Sequence, residues 1–536
     1  MSWYDIKTHN TILIYEPIFT QWGTIMKRFT LSFIVLVVAI GLPLLIIHSS
    51  EKDATSDDER VTLRKLSKAL SAAIYTVEEN YYKPVDRNAM YRGAIKGALA
   101  AMGDPYTYLL SERDHQRSVE NLYNANFGGI GVGIYPDHRG FIKISKPIPG
   151  TPADSAHLQA GDYITKVNGT QIYLGDRTGM TVDDVVDLLR GAVDTDVTIT
   201  VQRKFLEPFD VKLKRAKISI PSVTTTMLDD KIGYIRITKF IGTNRVGGTE
   251  EEFNKALEAH QKAGMQALIL DLRSNQGGLL DAAYHIADAF IDKGIIVSTK
   301  GRKSEFDEEY PAHTDILCAP EIPVVVLVDE YSASASEIVA GAIKDTGRGI
   351  LVGTKTYGKG VVQKRYPLTS LGAISLTISS YYTPNGTSID KSGITPHVPV
   401  TEQQPERIEQ VMQRLVVEKK SVEDYVASWI EDEVKRTGEI PKDFAPLEAT
   451  LPEFKNKLAD DGYRVSLGWL TIIAEQLFNI NVGIERIVNL RHDTQLKEAI
   501  RIINANEVGS TIKLYQTLNQ MLIYMGQELQ TLVHGV

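Results

Sequence analysis

Cysteine is nearly absent: Cys318 is the only one in 536 residues. No internal disulfide and no cysteine metal cluster can form, so thiols neither brace the fold nor report its redox compartment. Excess positive charge is absent too. Fifty-nine Lys and Arg against 67 Asp and Glu leave a net charge of -8, which excludes an electrostatic footprint for nucleic acid. The 11 histidines are scattered, without the spacing of a zinc site. Gly358-Lys359-Gly360 lacks the upstream glycine and following Ser or Thr of a phosphate-binding loop. No internal repeat is visible. Neither a metal nor a cofactor is expected. What remains is the composition of a folded protein, 43% hydrophobic and 24% charged, on a chain too long for one core.

Long apolar runs are scarce, with one exception. Leu31 to Ile47, extended by Phe29 and Thr30, is uncharged and mostly apolar, close to the ~20 residues that cross a bilayer as helix. Lys27 and Arg28 precede it, and Glu51, Asp53, Asp57, Asp58 and Glu59 follow. Basic residues favour the cytoplasmic side, so the chain beyond residue 50 is expected outside the cytoplasm, in the periplasm or at the cell exterior. A cleaved signal peptide competes with an anchor. No small-x-small cleavage site follows, which favours a single-pass anchor at 29–48 behind a short segment 1–28. Met26 directly precedes Lys27, and either Met1 or Met26 suits the start.

Residues 49–60 read as a charged linker and 61–120 as helical, with Leu63, Leu66, Leu70, Ala73 and Ile74 at helical spacing. A second helix through Tyr91 to Met102 stops at Gly103-Asp104-Pro105. Residues 121–216 have short strands and turns, the texture of one small domain. From 217 to 400 strands alternate with helices, the pattern of an α/β core. Two apolar strands there, Ala267 to Leu272 and Val324 to Val328, each run into a turn and a helix. Residues 401–536 are mostly amphipathic helix, including Leu496 to Ile503 and Thr511 to Val533. These last helices suit a homodimer interface or a cap near the small domain.

Three segments carry chemistry. Asp329 to Ile338 lies between a buried strand and a helix, where a serine can sit at a tight turn facing backbone amides. Ser334 with Glu337 also has the S-x-x-E form of a capping box, which needs no catalysis. In Thr356 to Gln363 a lysine stands between two glycines. Lys359 reads ordinarily as a solvated loop charge, but close-approaching backbone and apolar neighbours would desolvate it. Burial lowers a lysine pKa from about 10.4, and a drop of about three units costs about 4 kcal/mol. A neutral lysine can take a serine proton. Asn275-Gln276-Gly277-Gly278 lies between strand and helix, where free amides favour an anion or simply make a turn. The amides of Gly278 and Ala335 would form an oxyanion hole. A Ser-His-Asp triad through His285 or His313 is the competing chemistry.

These segments, in this order, resemble the C-terminal processing peptidases, or tail-specific proteases, a family of Ser/Lys serine endopeptidases. The resemblance covers most of residues 61–400. It includes Asn80-Tyr81-Tyr82, Gly97 with Asp104-Pro105-Tyr106, Pro152-Ala153 with Ala160-Gly161-Asp162, and Asp271-Leu272-Arg273 with Gly277-Gly278. It continues through Ser332-Ala333-Ser334-Ala335-Ser336-Glu337, Gly353, and Gly358-Lys359-Gly360 with Gln363. Tyr382-Thr383-Pro384 with Gly386 and Ile389, then Gly393-Ile394 with Pro396, close it. No single motif is specific; the ordered set is.

The resemblance implies a multidomain α/β protein: a crotonase- or Clp-protease-like peptidase core at 217–400, an inserted PDZ domain at 121–216, and helical N- and C-terminal regions. It implies Ser334 as nucleophile, Lys359 as base, Gln363 as the residue orienting that lysine, and Asp345 as structural support. A PDZ binds a protein C-terminus as an added strand, so Gly129, Ile130, Gly131 and Val132 become the peptide-binding residues. Expected substrates are proteins with exposed, apolar C-terminal tails. His157, where glycine is usual, and His397, where aspartate is usual, depart from the family pattern. A catalytically silent scaffold that binds C-termini is the alternative function.

Overall fold

The structure, a computed structural model, describes residues 57–521 apart from 124–125, 137–139, 175–179, 204–205, 243–247, 370, 402–404, 485 and 519. The apolar segment expected to anchor the chain lies outside the described residues. Among the described residues no helix is long and apolar enough to cross a membrane. The chain divides into two compact units at Gly93/Ala94. The first contains the helix Asp57–Asn80, with Leu63, Leu66 and Leu70 exposed and Ile74 buried.

In the second unit, five consecutive strands of a six-stranded sheet pair in parallel. The order is Val223–Leu228, Ile232–Ile237, Ala267–Asp271, Val324–Val328, Ile350–Gly353 and Val398–Pro399, with only the first pair antiparallel. Ala267–Asp271 and Val324–Val328 are buried at every position, as continuous apolar strands covered on both faces must be. On one face the helices Thr249–Lys262, Leu280–Asp288 and Ala335–Asp345 contribute to the largest core, through Phe253, Ile286 and Val339 among others. On the other, Leu496, Ala499 and Ile502 of the helix Thr494–Asn504 pack against Ile269, Val325 and Val352. Arg273 fastens that helix, bonding Asp271 and, at 2.7 and 2.6 Å, the Asp493 carboxylate. A second, antiparallel sheet contains the hairpin Val361–Leu368 and Gly372–Tyr382, with Ile295–Gly301 beside its second strand.

The PDZ region is a separate six-stranded sheet with its own core of Ile142, Ile164, Val185 and Ile199. Its two ends meet in a ladder of Asn126–Gly129 with Ala216–Ser219, as an inserted domain requires. The helices from Arg407–Glu418 to Leu467–Val482 enclose a fourth core around Val426, Phe454 and Phe478. Glu423 there meets Lys143 of the PDZ sheet at 3.1 Å.

Two expectations need correction. Residues 61–120 are not uniformly helical: Tyr108–Leu110 is a strand paired with Gly372–Tyr382, followed by the helix Glu112–Tyr123. The Asp104 carboxylate accepts the Tyr106 amide at 2.9 Å and the Thr107 hydroxyl at 2.6 Å, closing a turn before it. Three residues are too few for an alternating pattern to register. The second correction concerns residues 401–536, which do not pack as one region, because Thr494–Asn504 belongs to the peptidase core.

Candidate active site

The strand Val324–Val328 ends in a turn, and the chain re-enters a helix at Ala335. Between them Ser334 has φ 58° and ψ −115°, a conformation that L-residues seldom adopt and that costs of order 1–3 kcal/mol. A sharp, strained turn of this kind holds a side chain forward of a sheet edge. Its neighbours are occupied. Ser332 donates to the Leu272 carbonyl at 2.9 Å and Ser336 to the Asn275 carbonyl at 2.7 Å, and both are fully buried. Of the three, only the Ser334 hydroxyl donates to no backbone carbonyl among the described residues.

The Asn275 turn lies directly against it. Asn275 is buried, donates to the Ile237 carbonyl at 2.9 Å and accepts the Gly277 amide at 2.9 Å. Gly277 has φ 99°, and a Cβ there would crowd the Cβ of Ser334 at 2.8 Å and the Ala335 nitrogen at 2.9 Å. This close approach explains the glycine. Gly278, at φ 152°, bridges to Phe240. The amides of Gly278 and Ala335 donate no hydrogen bond among the described residues.

Glu337 joins this assembly to the lysine. Fully buried, its carboxylate accepts the Ser334 amide at 2.8 Å and the Lys359 amide at 2.9 Å on one oxygen. The other oxygen accepts the Gly358 amide at 2.7 Å and the Thr356 hydroxyl at 2.6 Å. Burial pushes the Glu337 carboxyl up, and the hydrogen bonds from Thr356, Ser334, Gly358 and Lys359 pull it down. Seen from the helix alone Glu337 is one half of a capping box. Its larger role is to bind two distant segments. Glycine is required at 360, where any Cβ would collide with the Asp390 backbone.

Burial lowers the Lys359 amine below the usual lysine range, and nearby Glu337 opposes the shift. The amine lies over the Tyr106 ring, 5.1 Å from its centroid, and has no hydrogen-bond partner among the described residues. It is therefore not bonded to Ser334 in this structure. Gln363, expected to orient it, instead donates to its own Val361 carbonyl at 3.3 Å. Asp345 ends the serine helix at the pole far from Ser334 and accepts the Asn385 amide at 3.2 Å. His313 bonds Asp288, and neither it nor His285 bonds Ser334. His397 accepts the Leu351 amide at 2.9 Å, and burial pushes it down to about 4, so it is neutral.

Sequence reasoning missed three contributors. Glu337 was visible only as a cap, although a carboxylate within Ser336-Glu337-Ile338-Val339 is out of place on a buried helix. Tyr106 stands in the Asp104-Pro105-Tyr106 motif and Tyr381 flanks Tyr382, but no spacing rule marks an aromatic as a neighbour of a lysine. Tyr106 is pushed up to about 12, chiefly by burial and then by its hydrogen bond with Tyr357.

In the PDZ sheet Gly129 pairs with Ala216, while the Ile130 and Gly131 amides donate to no described residue. Gly131 has φ 80°, and a Cβ there would run into Thr151. Among the described residues Val132–Pro136 pairs only with Ile142–Pro147, leaving one edge of the sheet open.

The profile of peptidase family S41 matches residues 231–400, a PDZ domain profile matches 143–203, and the profile of the N-terminal domain of the activating protease CtpB matches 46–113. A carboxy-terminal-processing protease of Bartonella bacilliformis is 36% identical over 359 residues, 66% of this chain and 79% of that protein. The chain belongs to peptidase family S41. This S41 serine peptidase is also 34% identical over 378 residues to the carboxy-terminal processing protease CtpA of Bacillus subtilis, covering 70% of this chain and 77% of that one. Among solved structures, the photosystem II D1 C-terminal processing protease is 31% identical, over 61% of this chain and 86% of that chain, with a TM-score of 0.37.

Replacing Glu337 tests the clamp. Glu337→Gln puts an amide NH2 among four donors, leaving at least one buried donor unsatisfied at about 1–3 kcal/mol. Urea unfolding is expected to show that loss, and peptide cleavage to fall with it. Unchanged stability would mean the four bonds hold nothing together.

Proposed function

We propose that this S41 peptidase cuts proteins near their C-terminal tails through a Ser334/Lys359 dyad, from a membrane-tethered position outside the cytoplasm. The observation that carries the dyad is the Glu337 carboxylate, which bonds the Ser334 and Lys359 amides with one oxygen. Two open amides beside that serine, on Gly278 and Ala335, support the chemistry. Catalysis requires the Lys359 side chain to leave the Tyr106 face and reach Ser334, a rotamer change for a long flexible chain.

In that arrangement Ser334 Oγ attacks the scissile carbonyl carbon while its proton passes to Lys359 Nζ. The carbonyl oxygen becomes an oxyanion held by the Gly278 and Ala335 amides. The C–N bond then breaks, and the Lys359 ammonium returns the proton to the leaving amine. Water, deprotonated by the same lysine, hydrolyses the acyl-enzyme ester. Gln363 would join only after the lysine moves.

The substrate's tail is taken by the PDZ domain. The open edge of Val132–Pro136 accepts it as an added strand, and the unpaired Ile130 and Gly131 amides receive its terminal carboxylate. Apolar tails suit the apolar side chains around this edge, Ile130, Val132 and Ile134.

Ser334→Ala and Lys359→Ala are each expected to abolish cleavage of an unstructured protein ending in an apolar tail. Lys359→Arg should fail as well, because a guanidinium does not release its proton at working pH. In the parent, kcat/KM rises with pH as the amine loses its proton, with a midpoint below the ordinary lysine value of about 10.4. Activity retained in either lysine variant removes the dyad. Deleting residues 29–48 is expected to move the protein from the membrane pellet to the supernatant after cell lysis; a deletion variant still sedimenting with membranes would contradict the anchor.

A further inference from the structure

Tyr381 lies near the end of the strand Gly372–Tyr382, with 1% of its surface exposed. Its backbone amide donates to the Gly360 carbonyl at 3.0 Å. Its phenol donates to the neighbouring Lys359 carbonyl. One residue thus holds two successive carbonyls of the glycine-flanked turn, from the side opposite Glu337, which holds the amides of Gly358 and Lys359.

The phenol has a third relation. Burial raises its pKa far above the ordinary value, and hydrogen bonding from the Ser334 side chain opposes that rise. A phenol has one proton to give, and here it is committed to Lys359. Since the phenol stays neutral throughout the working pH range, the donor to Lys359 is never lost. An ordinary packing tyrosine would need no polar partner at either place.

We propose that Tyr381 is a positioning residue of the peptidase reaction, its phenol and backbone amide fixing the turn that carries Lys359. The inference rests on the Ser334/Lys359 reading. The tyrosine acts through Lys359: it holds two carbonyls of the turn whose amides Glu337 holds.

Tyr381→Phe removes one oxygen and keeps the ring. In the full chain, kcat is expected to fall about tenfold or more with KM changed by less than about twofold, since the loss is confined to groups that do not bind substrate. The pH midpoint of kcat/KM should move as well, and the melting temperature should hold within about 5 °C. A merely structural tyrosine would lower the melting temperature and leave the pH midpoint in place. Should the Phe variant not fold, 3-fluorotyrosine at 381 decides, because it keeps shape while making the phenol more acidic. A severalfold change in kcat supports positioning, and an unchanged rate and profile overturns it. A folded Tyr381→Phe enzyme with kcat within about twofold of the parent also overturns it. If Ser334→Ala is inactive in the same assay, only the tyrosine's role falls; if Ser334→Ala still cleaves, the dyad reading falls first.

Discussion

One buried carboxylate holds the Ser334 and Lys359 segments in register. Glu337 collects four donors from two segments more than twenty positions apart in sequence, and each of its oxygens serves two of them. Charge-assisted bonds of this kind are stronger than neutral ones, and inside a protein an unpaired member is costly. The strained turn at Ser334 and the glycine-flanked turn at Lys359 each have little reason to keep their shape alone. Tied to the same carboxylate, they are fixed relative to each other. Burial then acts on an amine whose backbone is fixed.

The same economy separates Ser334 from the serines on either side. All three belong to the Ser-Ala-Ser-Ala-Ser run, and composition cannot rank them. The fold does so by satisfying two of them. Ser332 and Ser336 bond backbone carbonyls of the Leu272 to Asn275 segment, which fastens the Ser334 turn to the glycine turn. The glycine at 277 is needed because Ser334 and Ala335 lie against it. The open amides of Gly278 and Ala335 and the hydroxyl are thus positioned by one set of contacts.

Much of this was legible in the sequence, and the rest was not for definable reasons. The strand-turn-helix reading around Ser334 and Gly278 followed from apolar runs and turn residues, which are local signals. The α/β alternation was equally local. Glu337 was legible as a cap and no more, since its other partners, Thr356, Gly358 and Lys359, arrive from a separate segment later in the chain. Gln363 illustrates the opposite case: four residues after the lysine, its side chain turns to Val361 in this structure. The strand Tyr108–Leu110 was hidden by its shortness and by helices on both sides. The PDZ domain's attachments were not readable at all. Arg113 and Arg117 of the helix Glu112–Tyr123 pair with Asp183, Asp184 and Asp187 of the helix Val182–Leu189, and Ser118 of the former bonds Arg365 beyond the lysine turn. The Thr181 and Arg113 bonds hold the Asp184 carboxyl down at about 2. Such pairs are mostly exposed and individually weak.

Because the proposed dyad needs an uncharged amine, the protonation of Lys359 is the property on which the account stands. Burial lowers it, while Glu337 and the face of Tyr106 favour the charged form. The fold bears a cost for that amine at pH values below its folded midpoint, and the cost fades as pH rises toward about 10.4. Direct titration of lysine side chains by NMR in an isotope-labelled Ser334→Ala protein, with Lys359 assigned by its loss in Lys359→Arg, measures this quantity. A midpoint clearly below about 10.4 for residue 359 is the predicted result. A midpoint at or above that value would contradict the account.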